Sequence, residues 1–314
     1  MVDLLKLDNL NSKDFWQDFT NDLSIVVENQ TIEAPLLKLT NKDKQEYSRL
    51  FDLEGYAHLS QELDFNFSKF VKLLMKMHAA NLPAVFAFVY DEFWYFQARL
   101  AQVVEDFLGA GSCLMPTLWI WHVDAKKELE LLGEPDKELV TRSLYSGFYG
   151  PHRDKGKKAL YEDGSPKILS FWIPLTESTP LNSCIYLVPA NRDPTYNTDE
   201  DCSWLFRRPD IRALPAKPGD ILFWNESVVH WGSRPAPARE LEPRISMGFE
   251  YVCKEYVIKC NPTYQFNYIP SFKERLEIIA LQFKLYVTDD GFPPILVDFI
   301  KSNSRLLKEG REEF

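Results

Sequence analysis

Apolar side chains recur at helical spacing near both ends of the chain. In the segment 59–83 they fall at steps of three and four, which predicts a helix with one buried face. The aromatic-rich stretch from Phe86 to Leu108 runs into a Gly-Ala-Gly stop, which predicts a long buried helix. Residues 271–314 return to helical patterning. The spaced apolar positions are Leu63, Phe67, Phe70, Leu74 and Met77 in the first segment and Phe272, Leu276, Ile279 and Phe283 in the last.

The pattern changes after Gly111. Short segments rich in β-branched and aromatic residues are separated by Gly, Pro, Asn and Asp clusters, which is typical of an all-β barrel or sandwich. They span 117–123, 142–150, 167–175, 183–189, 220–227 and 244–252. A polar, helix-like stretch over 124–140 and a charged one over 191–213 interrupt them, and loops this long often cover binding sites. We therefore expect one mainly β domain (α+β) over 1–314, with helical flanks at 1–111 and 261–314 around a β core at 112–260.

Composition narrows the class of protein. The 314 residues include 36 Lys+Arg and 46 Asp+Glu, and a net charge of −10 disfavours general nucleic-acid binding. The longest clearly apolar run, at 82–90, is about half of what a membrane-spanning helix needs. The five cysteines form no Cys-x-x-Cys pair and fit a reduced protein. We expect a cytoplasmic protein whose partner is a small molecule, not nucleic acid or a membrane.

One short segment carries metal-ligand chemistry. In the sequence Gly-Pro-His-Arg-Asp, His152 and Asp154 are two residues apart, so an extended chain would point both side chains to one side. His230 follows at the end of a later predicted strand. Two histidines and one carboxylate form the facial ligand set of non-haem Fe(II) oxygenases, which leaves coordination positions open. An isolated His-x-Asp pair is weak support, because it occurs by chance in many chains.

A basic residue strengthens the pattern. Arg244 lies fourteen residues after His230, and Ser246 follows on the same strand face. A planar guanidinium beside a hydroxyl suits bidentate capture of a carboxylate. The alternative for Arg244 is a surface salt bridge near Glu242.

The order His-x-Asp, His, Arg-x-Ser on predicted strands resembles the Fe(II)/2-oxoglutarate-dependent oxygenases. The best match is the phytanoyl-CoA dioxygenase-like family. The segment 167–193 resembles the family's strand, acidic turn and strand. The segment 214–233 resembles its Gly-Asp turn before the strand of the distal histidine, and 52–60 resembles its N-terminal start. The resemblance covers most of the chain and is densest from 145 to 252.

The resemblance implies a double-stranded β-helix (jelly-roll) core and a dioxygenase that hydroxylates a small metabolite with release of succinate and CO2. It implies that Fe(II), O2 and 2-oxoglutarate are used, with iron bound by the three ligands named above. The far carboxylate of 2-oxoglutarate would pair with Arg244 and Ser246. Trp172 matches a position that faces this co-substrate, and Ser233 lies near another. An intact Asp154 favours hydroxylation over halogenation, since related halogenases have a small residue there.

A second His-x-Asp pair, His122 and Asp124, competes for the metal-binding role. The resemblance favours Asp154, because it precedes the strand at 167–175 by about one hairpin's length. We expect His122 to be a core residue or to line the substrate pocket, and His58 and His78 to be structural.

Two further groups of basic residues have alternative interpretations. A solvated surface is favoured for the lysines and arginine around the metal motif, and the other explanation is attraction of anionic 2-oxoglutarate or of an anionic substrate. The same two explanations apply to a pair in the charged stretch. The residues are Arg153, Lys155, Lys157 and Lys158 in the first group and Arg207 and Arg208 in the second. For the whole chain, the alternative function is a non-catalytic jelly-roll binding protein with a structural metal.

Overall fold

The computed structural model describes residues 4–60, 65–125, 150–200, 202–236, 241–259, 263–286 and 293–305. The helices in these ranges are α1 Leu7–Leu10, α2 Lys13–Phe19, α3 Asn41–Glu54, α4 Phe67–Ala79, α5 Asp91–Ala98, α6 Ala101–Leu108, α7 Phe272–Tyr286 and α8 Pro294–Ser302. The strands are β1 Gln30–Thr31, β2 Tyr56–Leu59, β3 Cys113–Val123, β4 Ile168–Pro174, β5 Ile185–Val188, β6 Arg212–Leu214, β7 Ile221–Asn225, β8 Val229–Gly232, β9 Arg244–Val252 and β10 Tyr268–Ile269. No helix among these elements is long and apolar enough to cross a membrane.

The strands form antiparallel sheets. Five strands join in the order β2-β7-β4-β9-β3, and three join in the order β6-β5-β8. The short strands β1 and β10 pair separately. Helices from both ends of the chain accompany these sheets, so the expected combination of antiparallel β structure with helical flanks is confirmed.

The five-stranded sheet buries both of its faces. On the outer face, Phe171 and Phe223 stack at 4.8 Å and belong to a core that contains residues of α4, α5 and α7. On the inner face, Trp172 and Trp224 pack in a separate cluster with Leu187 of the three-stranded sheet. Because neighbouring residues of a strand point to opposite faces, a single strand supplies side chains to both cores. The space between the two sheets is therefore lined from the inner face.

The helix expected over 59–83 is confirmed from Phe67 to Ala79 as α4, whose buried residues include Phe70, Leu74 and Met77, while Leu59 belongs to strand β2 instead. The long helix expected from Phe86 to Leu108 is wrong. The chain forms a 3₁₀ helix at Ala84–Val89, then α5 and α6. Tyr90 adopts an extended conformation between the 3₁₀ helix and α5. The carboxylate of Asp91 accepts a hydrogen bond from the backbone N–H of Val26 and pairs with a buried arginine. Tertiary contacts have overridden helical propensity here.

The predicted strands at 117–123, 167–175, 183–189, 220–227 and 244–252 are confirmed as β3, β4, β5, β7 and β9. Strand β2 was not expected, and the predicted strand that ends near His230 is two strands, β7 and β8, separated by a turn. The helix-like stretch 124–140 from 126 onward, and the predicted strand 142–150 up to residue 149, lie outside the described residues.

The turn from α3 into β2 requires a glycine. Gly55 has φ +76°, and a Cβ atom built on it would lie 2.5 Å from the Cγ2 atom of Val228. A side chain at this position would be strained by the backbone conformation and would also displace Val228. The close approach places the end of α3 against the turn that precedes β8.

Candidate metal centre and carboxylate pocket

Backbone hydrogen bonds hold two histidines side by side. The N–H of His152 donates to the carbonyl of His230 at 3.1 Å, and the N–H of His230 donates to the carbonyl of His152 at 2.9 Å. Their ring centroids lie 4.5 Å apart. This short antiparallel bridge joins a loop residue to strand β8, so residues 78 positions apart in sequence become neighbours.

The third residue of the predicted set joins this pair. The Nε2 atom of His152 lies 3.6 Å from Oδ1 of Asp154, and Nε2 of His230 lies 3.6 Å from Oδ2. One ligand-type atom from each residue lies within 4.8 Å of the others. We call His152, Asp154 and His230 the interior cluster. Its exposure is uneven, since the side chain of His230 is 8% exposed and that of His152 is 36% exposed.

The other ring nitrogens determine which tautomers fit. Nδ1 of His152 lies 2.7 Å from the carbonyl oxygen of Gly150, and Nδ1 of His230 lies 3.1 Å from that of Val228. A carbonyl oxygen can only accept, so each Nδ1 must carry the hydrogen, and in a neutral ring Nε2 then has the lone pair. Metal-bound histidines commonly have this support from a backbone carbonyl. The donor set therefore fits a divalent transition metal facing both Nε2 atoms.

The carboxylate of the cluster is ionised. Burial alone would raise the pKa of Asp154, but the histidines and Lys155 outweigh burial and hold it well below its ordinary value. Burial lowers the pKa of His230 to about 4, so this ring is neutral at pH 7. Burial also opposes charge on His152, yet the hydrogen bond and charge of Asp154 raise its pKa. At neutral pH the cluster thus offers a carboxylate and at least one neutral imidazole, while the second imidazole must lose any proton to bind a metal.

Arg244 and Ser246 lie in the buried interior. Arg244 is only 1% exposed, so the alternative of a surface salt bridge near Glu242 is wrong. Its Nη1 donates to Oγ of Ser246 at 2.6 Å, its Nε donates to the carbonyl of Ser183 at 3.0 Å, and its Nη2 donates to Oγ of Ser183 at 3.1 Å. The guanidinium carbon lies 5.6 Å from the ring centroid of Trp172. Ser183, at a positive φ of 78°, was not predicted to take part.

Strand β4 connects this pocket with the interior cluster. Oγ of Ser170 donates to Oδ2 of Asp154 at 3.2 Å, and two residues further along the inner face Trp172 packs on Arg244. Two residues of a strand span about 7 Å. The carboxylate of the cluster and the guanidinium therefore open onto the same space between the sheets.

Ser233 directly follows strand β8 of the three-stranded sheet and lies beside the segment that contains Ser183. Its N–H donates to the carbonyl of Cys184, the residue after Ser183. Its Oγ is buried and has no hydrogen-bond partner among the described residues. An unsatisfied buried hydroxyl is costly, and a polar ligand would satisfy it.

The solvated basic loop expected beside the motif is wrong for two of its residues. The side chain of Arg153 is 2% exposed and pairs with both carboxylate oxygens of Asp193 at 2.7 and 3.1 Å. Lys155 lies between Glu226 at 2.7 Å and Glu250 at 3.0 Å. These two cations therefore form salt bridges within the protein instead of facing solvent.

Two other basic residues lie at the surface, as favoured for Lys157 and as one of the two interpretations left open for Arg207. Lys157 is exposed and pairs with Asp199, and Arg207 is exposed and pairs with Asp210. The sequence motif alone does not distinguish the two kinds of cation, because the buried acids that pair with Arg153 and Lys155 lie 40 to 95 residues away.

The partly buried Lys155 stabilises an unfavourable pair of acids. Burial and the charge of Glu250 raise the pKa of Glu226 well above its ordinary value, while Lys155 opposes that rise. The same acids outweigh burial and raise the pKa of Lys155. Ser170 also contacts Glu226 at 3.3 Å, so the network touches the hydroxyl that bonds to Asp154. The charge of Asp154 is thus coupled to that of Lys155.

The second His-x-Asp pair does not join His230. The structure places His122 and Asp124 beside His78, with ligand-type atoms again within 4.8 Å of one another. The rings of His78 and His122 stack with centroids 4.0 Å apart and planes at 11°. His58, expected to be structural, lies 3.1 Å from a carboxylate oxygen of Asp220. The sequence did not indicate that His78 lies near this pair. The contact arises because the end of α4 lies against β3 in the fold, although the two elements are far apart in the chain.

No protein-family model and no curated protein matches the chain. Among solved structures it is similar to the non-heme alpha ketoglutarate dependent epimerase SnoN from nogalamycin biosynthesis, with 17% identity over 68% of this chain and 84% of that one and a TM-score of 0.48. It is also similar to HygX from Streptomyces hygroscopicus with nickel and 2-oxoglutarate bound, with 16% identity, coverage of 69% and 88%, and a TM-score of 0.46. A third is EctD from S. alaskensis with 2-oxoglutarate and 5-hydroxyectoine, with 19% identity, coverage of 74% and 82%, and a TM-score of 0.43. At such identities, residue roles in this chain have to come from its own geometry.

Proposed function

We propose that the protein is an Fe(II)/2-oxoglutarate-dependent oxygenase and that the interior cluster holds its iron. The observation that carries the proposal is the convergence of two Nε2 atoms and one carboxylate, with each Nδ1 engaged by a backbone carbonyl. Two histidines and one carboxylate leave coordination positions for a co-substrate and O2. Bound iron would supply the oxidative chemistry, in which decarboxylation of 2-oxoglutarate to succinate and CO2 accompanies oxidation of a substrate.

The buried arginine is the proposed anchor for 2-oxoglutarate. Arg244, held by Ser246 and Ser183, would donate to the carboxylate far from the metal, and Trp172 would cover one side of the chain. Ser233 would donate its hydroxyl to the same group. The spacing of about 7 Å along β4 between the Asp154 contact and the Arg244 contact suits a short dicarboxylate. A dry pocket strengthens such charge-assisted hydrogen bonds.

The finer features of the proposal follow the sequence resemblance. The two facing sheets would form a double-stranded β-helix core in a single domain, and the protein would be a phytanoyl-CoA dioxygenase-like hydroxylase of a small organic metabolite in the cytoplasm. The open side of the interior cluster, where His152 is more exposed than His230, is the side from which a substrate would approach.

The test uses purified, tag-free protein loaded with Fe(II) without oxygen. Addition of 2-oxoglutarate should produce a visible charge-transfer band, and admission of O2 should release succinate slowly even without substrate. His152→Ala should abolish both signals. His58→Ala is the matched control, because His58 pairs with Asp220 outside the cluster, and it should retain both. A folded, iron-loaded protein with neither signal would contradict an oxygenase and favour the non-catalytic binding protein. A metabolite screen scored by stimulated succinate release would then identify the substrate.

A further inference from the structure

Three potential ligands meet where helix α4 ends against strand β3. His78 lies in the last turn of α4, His122 is the penultimate residue of β3, and Asp124 follows the strand. Their ligand-type atoms lie within 4.8 Å of one another. We call these three residues the outer-face cluster.

This cluster lies on the other side of the sheet from the interior cluster. His122 pairs with Ile245 of β9, a residue of the helix-covered core, and its neighbour Ile120 pairs with Met247 in the same core. The adjacent Trp121 pairs with Ser246, which bonds to the buried arginine on the inner face. Since successive residues of a strand point to opposite faces, the His122 ring points away from the space between the sheets. The two ligand sets are therefore separated by the sheet.

The surroundings favour a cation. Because His78 lies in the last turn of α4, it is near the negative end of the helix dipole, and the carboxylate of Asp124 adds a full negative charge. Lys76, in the same turn of the helix, is engaged elsewhere, because its ammonium donates to the carbonyl of Phe19 and lies 4.5 Å from the ring of that residue. His122 is 4% exposed, so an ion bound to it would be largely shielded from water on one side.

We propose that the outer-face cluster binds a second divalent cation, with Zn(II) as the best match, which ties α4 to the end of β3. Two imidazoles and one carboxylate are common zinc ligands, with bonds of about 2.0–2.2 Å. The stacked rings must open to face one ion. His78, which is only partly buried at a helix end, is the ligand that can turn. The fourth position would be filled by water.

The experiment counts metal ions in the full chain. Tag-free protein is stripped with chelator, loaded with Zn(II), passed through a desalting column and analysed for metal per chain. We expect two ions in the unmodified protein. The double variant His152→Ala/His230→Ala should retain one ion and should still melt at a higher temperature with Zn(II) than without it.

Two conservative variants remove the outer-face ligands. His78→Gln and Asp124→Asn change side chains that are not fully buried, so both proteins should fold even if a change at His122 would not. Each should weaken binding of the second ion by at least about tenfold, so that this ion is lost on the desalting column. His58→Gln is the matched control and should keep both ions.

The outcomes distinguish this proposal from the oxygenase proposal. Two ions in His78→Gln and in Asp124→Asn, or no ion in folded His152→Ala/His230→Ala protein, would overturn the second site. If the unmodified protein binds one ion that Asp124→Asn removes and His152→Ala does not, the second site stands and the iron site fails.

Discussion

Replacement of Arg244 by lysine is the sharpest test of the carboxylate pocket. The guanidinium donates through three nitrogens, to Ser246 and to the backbone and side chain of Ser183, and these contacts fix its plane. Lysine keeps the positive charge and most of the stem, but it offers one ammonium instead of a planar fork. Arg244→Lys should therefore weaken 2-oxoglutarate binding while leaving the metal ligands unchanged.

The magnitude follows from the number of hydrogen bonds lost. A lysine can donate well to one carboxylate oxygen, so about one charge-assisted hydrogen bond disappears, worth about 1.5–3 kcal/mol. Since about 1.4 kcal/mol corresponds to a tenfold change, the dissociation constant for 2-oxoglutarate should rise roughly tenfold to a hundredfold. The affinity for Fe(II) should change little, because Arg244 is not part of the interior cluster.

The assay is an anaerobic titration of the Fe(II)-loaded protein with 2-oxoglutarate, followed by the visible band, together with succinate release against co-substrate concentration. Arg275→Lys is the matched control. Arg275 is also fully buried, but it pairs with Asp91 at 2.6 Å and donates to the carbonyls of Pro270 and Val89. That variant should lose stability and keep its affinity for 2-oxoglutarate. A folded Arg244→Lys protein with an affinity within about twofold of the unmodified one would refute the anchor.

Three further outcomes are expected. Lys155→Met should lower the free energy of unfolding in urea by about 3–5 kcal/mol, because it leaves Glu226 buried beside another acid, whereas Lys157→Met at the surface should change it little. Metal affinity of the interior cluster should fall by about tenfold per pH unit below the pKa of His152, because this ring must lose its proton to bind a metal. The fall should begin above pH 6.5, the ordinary pKa of histidine, because Asp154 raises the pKa of His152. Isothermal titrations at several pH values would show this fall, and a flat profile from pH 8 to 5 would contradict it. Gly55→Ala should lower the melting temperature, since the left-handed backbone alone costs about 1–2 kcal/mol; an unchanged melting temperature would show that the turn relaxes freely.

The sequence predicted the strands better than the helices. Alternate residues of the confirmed strands pack into two different cores, as Phe171 and Trp172 do. These strands are therefore apolar and aromatic on both faces, which makes them recognisable in the sequence. The prediction for the region after Phe86 was wrong because its first residues form a continuous apolar run, which a helix, a 3₁₀ turn and an extended link satisfy equally. The helix breaks where Asp91 contacts residues that are distant in sequence, such as Val26, 65 residues away, and Arg275.

The interior cluster followed a local pattern and a resemblance, and the structure brings its three residues together as proposed. What sequence reasoning missed depends on distant partners. Ser183 carries no motif and reaches Arg244 through a turn of positive φ. Arg153 and Lys155 look like surface residues until their acidic partners are known. The proximity of His78 to the second pair was invisible for the same reason, because tertiary packing creates it.

The backbone bridge between His152 and His230 has a consequence for the kinetics of metal exchange. Because two main-chain hydrogen bonds join the two histidines, the protein does not rely on an ion to keep them together. Release of the metal would then be a local event, with no unfolding step before reloading. Reconstitution of stripped protein should proceed at the rate of ion encounter and dehydration, and amide hydrogen exchange at these two residues should stay slow in both forms.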